Sequence, residues 1–174
     1  IVLQFEIPLE TVYYTVAFAR KHSIRCILNP APAQAIDLRE LTGLDYFIPN
    51  ESEAETITGI AVRNSDDAKQ CAEKLVGGGI HRVILTLGSK GSLLAGRDLI
   101  EHVPAFAVKS VDSTGAGDAF IGSFAVFLAE GATELEAVRR ANLYAGLSTT
   151  GVGTQKSFYD RQRFDAEWAV RSEK

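Results

Sequence analysis

Asp112-Ser113-Thr114-Gly115-Ala116-Gly117-Asp118-Ala119-Phe120 follows a short apolar segment, Val108–Val111, and opens the longest nearly apolar run of the chain, Ala119–Ala129. A strand, a glycine-rich turn and an apolar helix in that order mark an α/β unit, with a helix expected from Gly115 to Ala129 and closed by Gly131. The glycines let the backbone turn tightly and bring N–H groups close to a ligand. A helix start carries unsatisfied N–H donors and the positive end of the dipole, so this turn reads as an anion site. Asp118, in the first helical turn, builds a carboxylate into it. An isolated Asp there would only complement the dipole, with Asp112 capping the turn. That plainer account leaves the run of small residues and the second acid unexplained.

Outward from this stretch, strand and helix signals alternate. Ile1–Phe5, Ile24–Leu28, Tyr46–Ile48 and Val83–Leu87 read as buried strands, with shorter ones at Leu93–Ala95, Leu99–Val103 and Val108–Val111. Pro8 opens a helix running to about His22. Asn50 is an N-cap with Glu53 completing a capping box, and Gly59 closes that helix. Ser65 caps a helix over Asp66–Val76, stopped by Gly77-Gly78-Gly79; further helices fall at Glu134–Ser148 and Asp165–Arg171. This alternation implies parallel βαβ units and an α/β layer architecture. No repeat or low-complexity linker divides the chain.

Composition narrows the function classes. The 174 residues are 46% hydrophobic and 23% charged, the balance of a folded globular protein. A net charge of -4 weighs against nucleic acid or an anionic membrane as partner. Ala119–Ala129, interrupted by Gly122 and Ser123, is well short of the ~20 residues that span a bilayer. Cys26 and Cys71 form no CxxC, and no secretory pattern opens the chain, so two reduced thiols and a cytoplasmic location are expected. The three histidines lack ligand spacing, which leaves no zinc site. Gly-Lys-Ser/Thr is absent, excluding a P-loop, and Phe120 occupies the third-glycine position of a dinucleotide fingerprint. No G-x-S-x-G elbow is present. The chain has no Met and begins at Ile1 inside an apolar strand, so a processed, truncated or partial sequence is expected.

Asp112–Phe120 resembles the second signature of the ribokinase family of ATP-dependent sugar kinases. Three further segments agree in order and spacing. Asn29-Pro30-Ala31-Pro32-Ala33 resembles the loop typical of ribokinases, Asn50-Glu51-Ser52-Glu53 the N-x-x-E element, and Thr86-Leu87-Gly88-Ser89-Lys90-Gly91 the nucleotide-binding turn. The resemblance covers essentially the whole chain but only the C-terminal part of the family fold. It implies a ribokinase-like layered α/β fold, a mostly parallel sheet flanked by helices, with the N-terminal part and lid missing. Residues 1–174 would form the nucleotide-binding and catalytic portion of a single domain.

The resemblance also implies roles. Asp118 matches the catalytic base that takes the proton from the sugar's primary hydroxyl, with Gly115, Ala116 and Gly117 as the anion hole. Asn50 matches a phosphate contact, and Glu53 an indirect Mg²⁺ role through a metal-bound water; both also serve the capping box. Thr86, Leu87, Gly88, Ser89, Lys90, Gly91 and Gly117 would hold ATP, with Asn142 on the adenine side. Glu6, in Gln4-Phe5-Glu6, and Asp118 would meet the sugar. Asp112, Thr114, Ser148, Gly151, Gly153 and Ser157 would enclose a monovalent cation, K⁺, in oxygens. The implied reaction converts ribose and ATP to ribose 5-phosphate and ADP, in a cytoplasmic homodimer of the full-length protein. Deoxyribose, fructose or a nucleoside such as adenosine are alternative acceptors, and a non-catalytic nucleotide-binding remnant is the alternative from another class. These residues alone, with an open sheet edge and one sugar-side residue, are expected to be poorly soluble or without sugar-stimulated turnover.

Overall fold

The computed structural model describes residues 1–172. They fall into two compact units, one of residues 1–87 with 92–102, the other of residues 88–91 with the chain from Val103 onward. No helix among the described residues is long and apolar enough to cross a membrane.

The first unit is built on a sheet. Its elements are β1 (Val2–Leu3), α1 (Leu9–Lys21), β2 (Ile27–Leu28), β3 (Tyr46–Phe47), α2 (Glu51–Thr58), α3 (Ser65–Gly77), β4 (Arg82–Thr86), β5 (Ser92–Gly96) and β6 (Leu99–Val103). Val103, at the end of β6, groups with the second unit. The strands lie in sequence order; β1 to β4 are parallel and β5 runs antiparallel to β4, Thr86 facing Ser92. The register lines up Leu3, Leu28, Phe47 and Val83 in one row across the sheet. That row packs with Val12 and Val16 of α1, Ala54 of α2 and Cys71 and Leu75 of α3 in the main core. Burial of each large side chain in it contributes about 1.5–3 kcal/mol.

Three local differences from the sequence reading have physical causes. The Ile24–Leu28 strand starts late, because Ser23 adopts φ 55° and the Ile24 N–H closes α1 on the Ala19 carbonyl at 2.9 Å. α3 is capped one residue earlier than expected: Asn64, not Ser65, accepts the Asp66 and Asp67 N–H groups. Val108–Val111 forms no strand; the Val111 N–H is taken instead by the Thr149 carbonyl at 2.7 Å.

The second unit is helical: α4 (Ala116–Ala129), α5 (Glu134–Ser148) and α6 (Arg161–Arg171). α4 and α5 pack along each other, burying Phe120, Phe124 and Phe127 with Val138 and Ala141. Phe164 of α6 is fully buried, its ring 5.1 Å from Phe127 and 5.5 Å from Tyr144. α6 begins four residues before the expected Asp165, because Asp160 caps it through the Arg163 N–H.

Candidate active site

Gly115 is the N-cap of α4, in the left-handed region at φ 79° and with no side-chain cap bond. Two facts require glycine there. Side chains rarely adopt that φ, and a Cβ would lie 3.0 Å from the Thr154 methyl carbon. Gly117 is glycine for another reason, since a Cβ there would meet nothing within 4 Å. The space above it is open to a ligand. Of the three expected anion-hole residues, Ala116 has its N–H engaged with the Ser113 carbonyl at 3.1 Å. Among the described residues the Gly115 and Gly117 amides have no such partner. Asp118 follows on the first turn, exposed, its carboxylate making no hydrogen bond among the described residues. A cavity of about 290 Å³ opens beside it, walled by Gly122, Tyr144, Phe158 and Arg161. Phe158 escapes the sequence reading, and Thr154 enters it only inside the loop read as enclosing the cation, because nothing local marks a residue that packs against a distant glycine.

The expected cation residues are partly assembled. Asp112 Oδ1 accepts the Thr114 N–H at 3.0 Å and the Thr114 hydroxyl at 2.7 Å, while Oδ2 accepts the Gly153 N–H at 3.0 Å. These three bonds hold its pKa down at about 2, led by the Gly153 amide, so the carboxylate is ionised at any physiological pH. Ser157 donates its hydroxyl to the Gly153 and Thr154 carbonyls. Ser148 donates to Ala145 at the end of α5. Asp112, Thr114, Gly153 and Ser157 are thus drawn into one network by direct bonds. Ser148 joins it only along the chain, whereas Gly151 packs beside Ser157, whose Cβ lies 3.3 Å from the position of a Cβ on Gly151. One carboxylate among hydroxyl and carbonyl oxygens fits a hard monovalent cation. No group of three or more His, Cys, Asp and Glu suited to a metal occurs among the described residues.

The glycine turn Gly88–Gly91 forms a single turn of 3-10 helix over Gly88–Lys90. Its two glycines differ. Gly88 (φ 56°) has open space at its Cβ position, whereas a Cβ on Gly91 (φ 97°) would run into the Val103 carbonyl and lie 2.6 Å from the Ala105 nitrogen. Gly91 is therefore explained by packing alone, while Gly88 and Ser89 are exposed. Asn142 is buried and gives its amide to the same segment, 3.0 Å from the Val103 carbonyl. It braces the chain there, leaving only its oxygen for a nucleotide.

In the first unit the C-terminal ends of the parallel strands gather the remaining candidates, where ligands of open α/β sheets bind. Asn50, just past β3, bridges to Thr86 at the end of β4, and the Thr86 N–H donates to the Pro49 carbonyl at 2.9 Å. The capping box is complete: Asn50 Oδ1 accepts the Glu53 N–H, and Glu53 Oε2 accepts the Asn50 N–H, both at 2.9 Å. Glu53 is buried, which pushes its carboxyl upward in pKa against the opposing hydrogen bonds from Asn50 and Asn29. With both oxygens engaged, a role through a metal-bound water suits it better than direct ligation. Glu6 is exposed after β1, and the preceding Phe5 N–H bonds the Ala31 carbonyl at 2.8 Å, tying this segment to the Asn29–Ala33 turn. Leu87 is buried, a support for its turn.

The first unit thus carries Glu6, Asn50 and Glu53 at the ends of its parallel strands, and the second a glycine helix start followed by the exposed Asp118, in an α/β protein without a P-loop. Over residues 2–161 the sequence matches the pfkB family of carbohydrate kinases, and the chain belongs to that family. The deoxyribokinase of Salmonella typhi is 45% identical over 166 residues, covering 95% of this chain and 54% of that protein. A ribokinase of Haemophilus influenzae is 36% identical, covering 93% of this chain and 53% of its own. The fold is ribokinase-like: an Arabidopsis thaliana ribokinase solved with ribose and ATP superimposes with a TM-score of 0.89 at 31% identity, over 95% of this chain and 54% of that one. The chain spans about half the length of the curated relatives it matches.

Proposed function

We propose that this chain is the nucleotide-binding and catalytic portion of an ATP-dependent pentose kinase. The observation that carries the reading is the start of α4, where the Gly115 and Gly117 amides and the exposed Asp118 carboxylate stand together with no hydrogen-bond partner among the described residues. Asp118 takes the proton of the sugar's primary hydroxyl as its oxygen attacks the γ-phosphate, a role worth roughly 10²–10⁴-fold in rate. The Gly115 and Gly117 N–H groups, aided by the helix dipole, receive charge developing on the transferred phosphoryl oxygens. Gly88 and Ser89 offer an open turn to the nucleotide. Asn50, with Glu53 bonding one of its waters, would hold Mg²⁺, which would supply charge neutralisation on the phosphates. The Asp112–Ser157 loop would hold K⁺, and with it the backbone that carries Gly115 would be steadied. By the same resemblance the complete protein works as a cytoplasmic homodimer.

Ribose is the acceptor favoured by Asn29–Ala33; 2-deoxyribose is the second reading, supported by the 45% identity to a deoxyribokinase. The two sugars differ by one hydroxyl, and a site built to bond it discriminates strongly against its absence. The test is coupled ADP release by the complete protein with ribose, 2-deoxyribose, fructose and adenosine. A pentose should give the highest kcat/KM; turnover with adenosine alone, or with none of the four, would overturn the assignment.

A further inference from the structure

Asn29 stands just past β2 and is 8% exposed. Its backbone N–H donates to the Leu3 carbonyl at 2.9 Å, fixing it at the strand end. Its amide nitrogen donates to two acceptors, the Ile48 carbonyl at 2.8 Å and Glu53 Oε2 at 3.3 Å. Neither a carbonyl nor a carboxylate has a hydrogen to give, so both amide hydrogens are committed and the orientation is unambiguous. Glu53 is itself 6% exposed, with Oε1 bonded to the Asn50 side chain at 2.8 Å. A capping box needs only its own two residues to satisfy the start of α2. The bond from Asn29 crosses from another strand to the carboxylate and adds nothing to capping. It removes the last freedom of Glu53 to rotate.

We propose that Asn29 is a positioning residue for metal-dependent nucleotide binding, holding the Glu53 carboxylate in the orientation it presents to a Mg²⁺-bound water. This rests on the reading of Glu53 given above. Partners that orient a metal-organising carboxylate typically matter 10–100-fold in metal affinity or activity when removed. Asn29→Ser supplies one hydrogen for two acceptors and breaks the clamp with little loss of volume; Asn29→Ala removes it outright.

The experiment is calorimetric titration of the complete protein with a non-hydrolysable ATP analogue, in Mg²⁺ and in EDTA, the ratio of the two affinities being the readout. Asn29→Ser should lower that ratio about tenfold while the affinity in EDTA stays within about twofold of wild type. Glu53→Gln should lower it at least as much, and the double variant no further than Glu53→Gln alone. A merely structural Asn29 would shift the melting temperature and leave the ratio untouched. If Asn29→Ala does not fold, Asn29→Ser, shown folded by its cooperative melt, carries the test. A wild-type ratio in Asn29→Ser beside a lowered one in Glu53→Gln overturns this inference alone. A wild-type ratio in Glu53→Gln overturns the reading of Glu53 on which it rests.

Discussion

The Gly153 N–H donates to Asp112 Oδ2 at 3.0 Å, across 41 residues of sequence. The same carboxylate holds Thr114 through its other oxygen, so one side chain ties the turn before α4 to the loop after α5. Thr154, next to Gly153, lies 3.0 Å from the position of a Cβ on Gly115. The amide-bearing turn is thus buttressed by the loop proposed to hold the cation. An ion in that loop would act on phosphate binding through contacts, not through its own field alone.

Asp112 makes this clip pH-sensitive in a defined direction. Its pKa, lowered from 3.8 to about 2 in the fold, means that the clip stabilises the protein above pH 4 and is lost as pH falls toward 2. Asp112→Asn removes the charge and the dependence together. The unfolding midpoint of wild type should exceed that of Asp112→Asn at pH 5, with the gap closing between pH 4 and pH 2. A gap that is constant across that range would dissociate Asp112 from the acid response.

Much of this clip was legible in sequence, and some of the site was not. Asn50 and Glu53 were placed correctly because a capping box is a local pattern, complete within four residues. The glycines at 88, 91, 115 and 117 look alike in sequence. Only packing separates Gly91, closed against Val103, from Gly117, open to ligand. The strand reading at Ile24 fails because apolar composition does not distinguish a residue that closes a helix end from the first residue of a strand. In sequence Asn29 reads only as part of a loop, since its partners lie 19 and 24 residues away.

That difference between glycines predicts opposite outcomes. Gly91→Ala must place a Cβ against the Val103 carbonyl at φ 97°, and should cost more than about 2 kcal/mol in chemical denaturation. Gly117→Ala meets nothing and sits in a helix, where Ala is favoured by up to about 1 kcal/mol. It should fold at least as stably as wild type yet bind the phosphates of ATP more weakly. Equal stabilities for the two variants would contradict the packing argument.

Potassium should raise sugar-dependent turnover well above sodium at equal ionic strength, because the smaller, more strongly hydrated ion suits a carbonyl-built loop less. Asp112→Asn should abolish the difference. Equal rates in both salts for the wild type would reduce the Gly151–Ser157 segment to a structural loop.

The sharpest test of the proposed chemistry is Asp118. Its carboxylate is exposed, makes no hydrogen bond among the described residues and lies at the mouth of a cavity, so the fold asks little of its charge. Asp118→Asn keeps its size and its place in the first turn of α4, sacrificing only the favourable interaction of a carboxylate with the dipole, about 0.3–1 kcal/mol. Stability and nucleotide binding should therefore be nearly unchanged. Sugar-dependent ADP release should fall by about 10²-fold or more, the share a positioned general base contributes. The loss should appear in kcat, since the proton is taken in the transition state and not on binding. Turnover within a few-fold of wild type would remove Asp118 from the mechanism, and a loss confined to KM would recast it as a sugar contact.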